Sequence, residues 1–328
     1  MIRAGLDQDA DDYIRLIGDA WAEYPGCVLD VDGETPELRA LASFFARTGG
    51  ALWVAEHDGA VVGMVATRPL GSDEAWEICR MYVAAAQRGQ GVAHRLLDTA
   101  EAHVRAAGAA RLVLWTDTRF DAAHRFYEKR GYVRQGAIRI LDDLSKSLEF
   151  RYAKPATGLV VEALDAAAAA SAERRLAEIL VACVDAGASV SFLPPLAMPA
   201  ARAFWRQIAA DVAAGRRLLL AAWQDGVLVG TVQLALDMPP NQPHRADVAK
   251  LLVDPPARRA GVGEALMQRV EQAAQRMGRR LLVLDTAAED AGERLYRRRG
   301  WQESGRIPGY ALDATGAELD TVIFWKRV

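Results

Sequence analysis

The chain has 328 residues, 51% of them hydrophobic and 25% charged, enough for two soluble domains with a core in each. A net charge of −3 gives no electrostatic reason to expect nucleic acid, and no apolar run suits a signal peptide or a membrane span, so the chain reads as soluble and cytoplasmic. Cys27, Cys79 and Cys183 are too few and too far apart for a disulfide framework or a metal cluster, and no metal is expected.

In chain order, a helical region is expected over Asp9–Glu23, then a hairpin over Leu52–Val65 turning at Asp58-Gly59. The run Glu77–Val83 reads as a strand. It leads into a loop carrying Arg88, Gly89 and Gly91, and an amphipathic helix follows as far as Gly108. A strand at Arg111–Trp115, a helix holding Phe126-Tyr127 and a last strand at Leu148–Ala153 complete the series. The breaker-rich segment Lys154-Pro155-Ala156-Thr157-Gly158 then places a domain boundary, giving 1–154 and 155–328.

The same series is written again 170 positions later. Glu77–Val83 maps without a gap onto Asp247–Val253, Arg88 onto Arg258, Gly91 onto Gly261, Ala93 onto Gly263 and Gly108 onto Gly278. A helical region over Ala167–Asp185 and a hairpin over Leu218–Val232, turning at Asp225-Gly226, precede this second strand. Beyond it, Arg280–Leu284 repeats the strand at Arg111–Trp115, and Leu295–Trp301 repeats Phe126–Tyr132 with one residue lost. Two α/β domains of one architecture follow. Each has a mixed, largely antiparallel sheet flanked by helices, with one parallel strand–helix–strand step at the glycine turn.

That step is a ready anion site. The first amides of a helix lack intrahelical partners, and glycine lets a phosphate approach the backbone. Arg258, Arg259, Ala260, Gly261, Val262 and Gly263, with Arg88, Gly89, Gln90, Gly91, Val92 and Ala93 in the first copy, read as pyrophosphate cradles. A dinucleotide fingerprint would need glycine or alanine at 266 and 94, which are Leu266 and His94, and neither loop has the lysine of a Walker motif.

R-x-x-G-x-G at Arg258–Gly263, with Leu295-Tyr296 and R-G-W downstream, resembles the GNAT superfamily of acetyl-CoA-dependent N-acetyltransferases. Arg88–Ala93 and Phe126-Tyr127 give the R-x-x-G-x-A variant, so the resemblance covers both copies. The second copy is also similar to tabtoxin-resistance-type acetyltransferases in Gly187–Val190, Asp211–Gly215, Arg245–Leu251, Leu284–Thr286 and Pro308–Ala311.

The resemblance implies acetyl-CoA as cofactor and a small-molecule amine as acceptor. The backbone of Leu251, Leu252 and Val253, or of Met81, Tyr82 and Val83, would pair with the pantetheine arm. Tyr296 and Tyr127 would protonate the departing thiolate, since tyrosine stays protonated at neutral pH. Asp285 is either a base or a strand-end cap. Asp247 and Glu77 either draw a proton from the amine through water or pair with an arginine, Arg245 or Arg80. Strand alternation puts Asp247 on a face with Ala249 and Leu251, and Glu77 on a face with Cys79 and Met81.

His244 and His124 are weaker candidates, and Phe192 and Trp205 belong either to the acceptor pocket or to the core. Both copies lack the asparagine that many relatives carry six residues before the first residue of the Phe-Tyr pair, having Phe120 and Glu289 there. Ala93 and Thr116 stand where the second copy has Gly263 and Asp285, which favours the C-terminal cradle as the working site. On that view the N-terminal copy is an acyl-CoA-binding or pseudo-dimer module, and the chain works as a monomer or a homodimer. Peptide or protein acetylation is a further alternative.

Overall fold

A computed structural model of the chain describes residues 1–71 and 74–328. It divides into two compact units, Met1–Thr157 and Gly158–Val328. The first runs β1 (Ile2–Ala4), α1 (Ala10–Ala22), α2 (Leu41–Arg47), β2 (Ala51–His57), β3 (Ala60–Pro69), β4 (Ala75–Val83), α3 (Val92–Ala106) and β5 (Arg111–Asp117). It continues with α4 (Asp121–Lys129), β6 (Val133–Arg134), β7 (Arg139–Ile140) and β8 (Leu148–Pro155). The second unit begins with β9 (Leu159–Leu164), α5 (Ala166–Asp185), α6 (Met198–Ala213), β10 (Arg217–Gln224), β11 (Val227–Ala235) and β12 (Arg245–Val253). Then come α7 (Val262–Arg276), β13 (Leu281–Ala287), α8 (Ala291–Arg298), β14 (Gln302–Leu312) and β15 (Glu318–Arg327).

Each unit holds one mixed sheet. The strand orders are β1-β2-β3-β4-β5-β8-β6, with β7 also on β8, and β9-β10-β11-β12-β13-β15-β14. Every pairing is antiparallel except β4 with β5 and β12 with β13. Both hairpins turn where Asp-Gly stands: Asp58 and Gly59, like Asp225 and Gly226, have positive φ, as a type I′ turn requires. No helix among the described residues is long and apolar enough to cross a membrane.

Two layers of helix cover each sheet. In the first unit Leu96, Leu97, Ala100 and Val104 of α3 bury against Ile78, Leu112 and Leu114. On the opposite face Tyr13, Leu16 and Ile17 of α1 and Leu41 and Phe45 of α2 bury against Val54, Met64 and Ala66. In the second unit α7 packs likewise on one face, and α5 and α6 pack against β10, β11 and β12. Gly63 lets α3 sit close to its sheet, because a Cβ there would meet Leu96 Cδ1 at 2.9 Å, and Gly230 does the same beneath α7, with Leu266 Cδ1 at 3.1 Å.

The structure adds elements that the sequence pattern leaves out. Two helices, not one, precede each hairpin, and each sheet carries an extra first strand and a final outer strand. At seven residues α2 is too short to show periodicity, and β14 opens on the polar run Gln302-Glu-Ser-Gly-Arg306. Residue 154, taken from sequence as the last of the first domain, lies inside β8.

A buried carboxylate is repeated as well. Glu101 of α3, 3% exposed, meets Lys154 at 2.9 Å and accepts from Tyr132 Oη at 3.0 Å. Its copy, Glu271 of α7, meets Arg299, Lys326 and the Trp301 indole at 2.8–3.0 Å. Burial alone would push the Glu101 carboxyl up, but Lys154, Arg130 and Arg105 outweigh it and hold it below the usual carboxylate range. The stability it contributes is therefore present above the unfolded pKa and lost as pH falls through the lower folded one; burial also pulls Lys154 down, which offsets part of the gain. Lys154→Met leaves this carboxylate buried with fewer cations. The variant is expected to lose about 3 kcal/mol in the unfolding transition of the N-terminal unit, measured by urea denaturation.

Candidate active site

The parallel step opens each sheet. β4 pairs with β5 only over Ala75–Ile78, then runs on to Val83. β12 pairs with β13 only over Arg245–Asp247, then runs on to Val253. A bulge lies just beyond the last paired residue in both, with Arg80 at φ +51° and Lys250 at φ +53°. A bulge adds twist and bends its strand, so the two strands part. Met81–Val83 and Leu251–Val253 keep a sheet neighbour on one side only, which leaves an edge able to accept an added strand.

The bulge also corrects the expected alternation. Glu77 and Cys79 lie on the α1/α2 face, but the extra residue turns Met81 and Val83 to the α3 core. Leu251 and Val253 pack on the α7 side in the same way, away from the face of Asp247.

Below the opening lie the glycine loops. Gly91 has φ +76° and Gly261 φ +82°; each is the N-cap of its helix, with no side chain capping the first amides. A Cβ at Gly89 or Gly261 would meet nothing within 4 Å. The space above these loops is open, and they require glycine for backbone conformation rather than for fit to the protein. In the second copy Arg259, not glycine, holds the position of Gly89, at φ +66°. A Cβ at Gly263 would meet Leu295 at 3.4 Å, ordinary contact, so the second cradle has room for the alanine that the first copy carries at the matching position. Arg88 Nε and Arg258 Nε donate to the carbonyls of Val83 and Val253, tying each loop to its strand; Arg88 also grips Glu23 with both terminal nitrogens at 2.7 Å.

Two cavities adjoin in the first unit. One, of about 460 Å³, is lined by Met81–Val83, Arg88, Gly89, Gly91–His94 and the α4 residues Ala122, Phe126 and Tyr127. The other, of about 380 Å³, lies on the α1/α2 side and is lined by Trp21, Glu37, Arg68, Glu77, Cys79, Thr116 and Glu149 among others. They share Met81, Tyr82, Phe120, Ala123 and Tyr127. Both volumes are typical of small-molecule sites.

Tyr127 is 7% exposed, and its hydroxyl forms no hydrogen bond among the described residues. Burial pushes its pKa up, and Tyr82 and Cys79 add to this, so the phenol stays protonated. Tyr82 Oη accepts from Trp21 Nε1 at 3.0 Å. Burial pushes the Cys79 thiol up to about 12, which removes it as a nucleophile at neutral pH. Glu77, 4% exposed, pairs with Arg68 at 2.6 Å; Arg80, the partner expected from sequence, is taken by Glu37 at 2.7 Å. Glu149 is raised by burial and by neighbouring Glu77 and Asp117, against the pull of Arg139. Asp117 is bound by Arg119 through a backbone amide and two side-chain nitrogens, and His124 Nε2 lies 2.9 Å from its carbonyl; both anchor the turn after β5.

In the second unit Asp285 stands exposed on β13, beyond the stretch paired with β12. Asp247 is ion-paired with Arg245. Tyr296, 6% exposed, packs beside Trp301 and Phe324, with no hydrogen bond from its hydroxyl among the described residues. Lys250 donates to Ser191 Oγ at 2.8 Å. Trp205 is core, at 1% exposure, while Phe192 stacks edge-on against Phe204; His244 offers its backbone carbonyl to Arg280 and Leu281.

Sequence reading missed Trp21, Glu37, Arg68, Arg139 and Glu149, which line the second cavity from distant elements. The signal available was charge placed in strands: Arg68 at the end of β3 and Glu149 in β8.

Each unit thus repeats one arrangement, a bulged, splayed parallel step over a glycine loop. The chain belongs to the GNAT acetyltransferase family, whose model matches residues 14–132 and 176–301. It is similar to N-acetyltransferase 8F1 of Rattus norvegicus, 30% identical over 125 residues, 37% of this chain and 54% of that protein. It is also similar to the uncharacterized N-acetyltransferase YjgM of Escherichia coli K12, 35% identical over 131 residues, 38% of this chain and 77% of that one. N-acetylaspartate synthetase of Rattus norvegicus is 40% identical over 93 residues, 27% of this chain and 30% of the synthetase. The chain thus spans about half the length of the first of these relatives and less than a third of the synthetase. Among solved structures, an N-acetyltransferase from Staphylococcus aureus Mu50 aligns with 52% of this chain and 99% of its own, at 16% identity and a TM-score of 0.45. The putative acetyltransferase yncA from Salmonella typhimurium, solved with its cofactor acetyl-CoA, aligns with 52% of this chain and 94% of its own, at 18% identity and a TM-score of 0.44.

Proposed function

We propose that the chain transfers an acetyl group from acetyl-CoA to a primary amine of a small molecule, and that the N-terminal unit carries the working site. The observation that carries this reading is the meeting of two cavities at Tyr127, one over the cradle and one on the α1/α2 side. We thereby rank the N-terminal copy first, opposite to the order drawn from the motifs, which rested on Gly263 and Asp285 against Ala93 and Thr116. A Cβ at Gly263, the counterpart of Ala93, would meet only Leu295 at 3.4 Å and Val253 at 3.8 Å, and Gly89 avoids the positive-φ strain that Arg259 carries.

Acetyl-CoA, when bound, supplies an activated thioester. The open loop fits such a group: the uncapped amides at Gly91–Ala93 would hold the pyrophosphate, and the free edge of Met81–Val83 would take the pantetheine amides. Tyr127 Oη holds a proton ready for the departing sulfur. Glu77 receives the proton of the amine, directly or through water, and Arg68 fixes the carboxylate in place. The C-terminal unit keeps its own cradle, which we read as a second acetyl-CoA-binding copy.

A thiol-release assay on the full chain with acetyl-CoA and a broad panel of primary amines tests the reading. Amine-dependent release of CoA is the expected result. Binding of acetyl-CoA with no release for any amine would overturn it.

A further inference from the structure

The second cavity of the N-terminal unit carries a charge pattern that discriminates among amines. Its three lining arginines are each already matched by a carboxylate: Arg68 by Glu77 at 2.6 Å, Arg80 by Glu37 at 2.7 Å and Arg139 by Glu149 at 2.7 Å. Asp117, a fourth lining carboxylate, is held by Arg119 at 2.6 Å. Two more, Glu34 and Asp143, line the same cavity and form no ion pair among the described residues. Each accepts only a backbone amide, from Leu144 at 2.7 Å and from Ser147 at 2.8 Å, and neighbouring Lys146 is bound to Asp142 at 2.8 Å.

The cavity therefore has negative charge to spare and, among the described residues, no uncommitted cation. Glu34 is exposed and marks the solvent end. The other end is marked by Glu77, 4% exposed, and by Tyr127, a 7% exposed side chain that lines both cavities and whose hydroxyl has no hydrogen-bond partner among the described residues. A carboxylate on the acceptor would meet only arginines already committed to glutamates, and would be repelled by the spare charge. A second ammonium would complete it.

We propose that the acceptor taken here is a dication, a small diamine-like molecule whose reacting amine lies toward Glu77 and Tyr127 while a second ammonium rests against Glu34 and Asp143. This rests on the transferase reading of the same cavity, which the test keeps separable from it.

Three acceptors of equal length, 1,4-diaminobutane, 1-aminobutane and 4-aminobutanoate, would be compared with the full chain and saturating acetyl-CoA. The expected kcat/KM for the diamine is about tenfold above the monoamine, with the amino acid lowest. The preference should shrink as salt rises from about 0.02 M to about 0.5 M. In the Glu34→Gln/Asp143→Asn double variant the diamine's advantage over the monoamine should narrow to about twofold, through KM rather than kcat. If the amino acid is used as well as the diamine, or better, the dication inference falls and the transferase reading stands. If none of the three releases CoA, calorimetric titration of 1,4-diaminobutane into the CoA-loaded chain decides. Binding that weakens in the double variant would uphold the dication site while counting against transfer here, and no binding would overturn the inference.

Discussion

Tyr127→Phe is expected to lower turnover by about a hundredfold or more, the usual size of a general acid's contribution, while acetyl-CoA affinity changes by less than about twofold. The substitution removes one oxygen and keeps the ring, so the edge contacts of Tyr127 with Phe126 and Tyr132 survive. Because the hydroxyl forms no hydrogen bond among the described residues, its loss orphans no buried partner, and unfolding stability should stay within about 1 kcal/mol of the parent. What disappears is a proton at the junction of the two cavities, held there because burial, Tyr82 and Cys79 keep the phenol neutral. A variant that keeps full turnover would remove Tyr127 from the chemistry.

Gly91→Glu is the second large effect. Gly91 has φ +76° at the N-cap of α3, so any side chain there is strained by about 1–2 kcal/mol, and a glutamate also sets negative charge where phosphates are to bind. Its Cβ would lie 3.3 Å from Arg95 Nη1 and would crowd the loop further. The expected result is a fall of about a hundredfold in kcat/KM, mostly through loss of acetyl-CoA affinity. Gly261→Glu, which alters the copy in the second unit at φ +82°, should leave turnover within about twofold. Titration calorimetry and steady-state kinetics on both variants separate the two cradles. Equal loss from each would mean that both copies work, or that they work only together.

Much of the architecture is legible in the chain. The repeat, the hairpins at Asp58-Gly59 and Asp225-Gly226 and the cradles at Arg88–Ala93 and Arg258–Gly263 rest on local rules: positive φ for glycine, apolar stripes for helices and alternation for strands. The bulges are not legible, because Arg80 and Lys250 are ordinary strand residues until the sheet bends around them. Their effect reaches the site: one extra residue moves Met81 and Leu251 to the opposite face from Glu77 and Asp247. The second cavity is hidden for another reason. Glu37, Arg68, Arg139 and Glu149 are scattered over more than a hundred positions and meet only when β8 inserts beside β5 and the segment before α2 folds over the sheet. Ranking the copies by motif alone rests on Gly263 and Asp285 against Ala93 and Thr116, and a Cβ at Gly263 would meet only ordinary contact with Leu295 at 3.4 Å.

The most direct measurement of the account is turnover of Tyr127→Phe and Tyr296→Phe side by side, at saturating acetyl-CoA and with one accepted amine. Tyr296 packs beside Trp301 and Phe324 in the second unit, and its hydroxyl, too, is unpartnered among the described residues, so the two substitutions are chemically matched. The expected loss is about a hundredfold for Tyr127→Phe and less than about twofold for Tyr296→Phe. The reverse pattern, with Tyr296→Phe inactive and Tyr127→Phe unchanged, would contradict it and return the working site to the C-terminal unit.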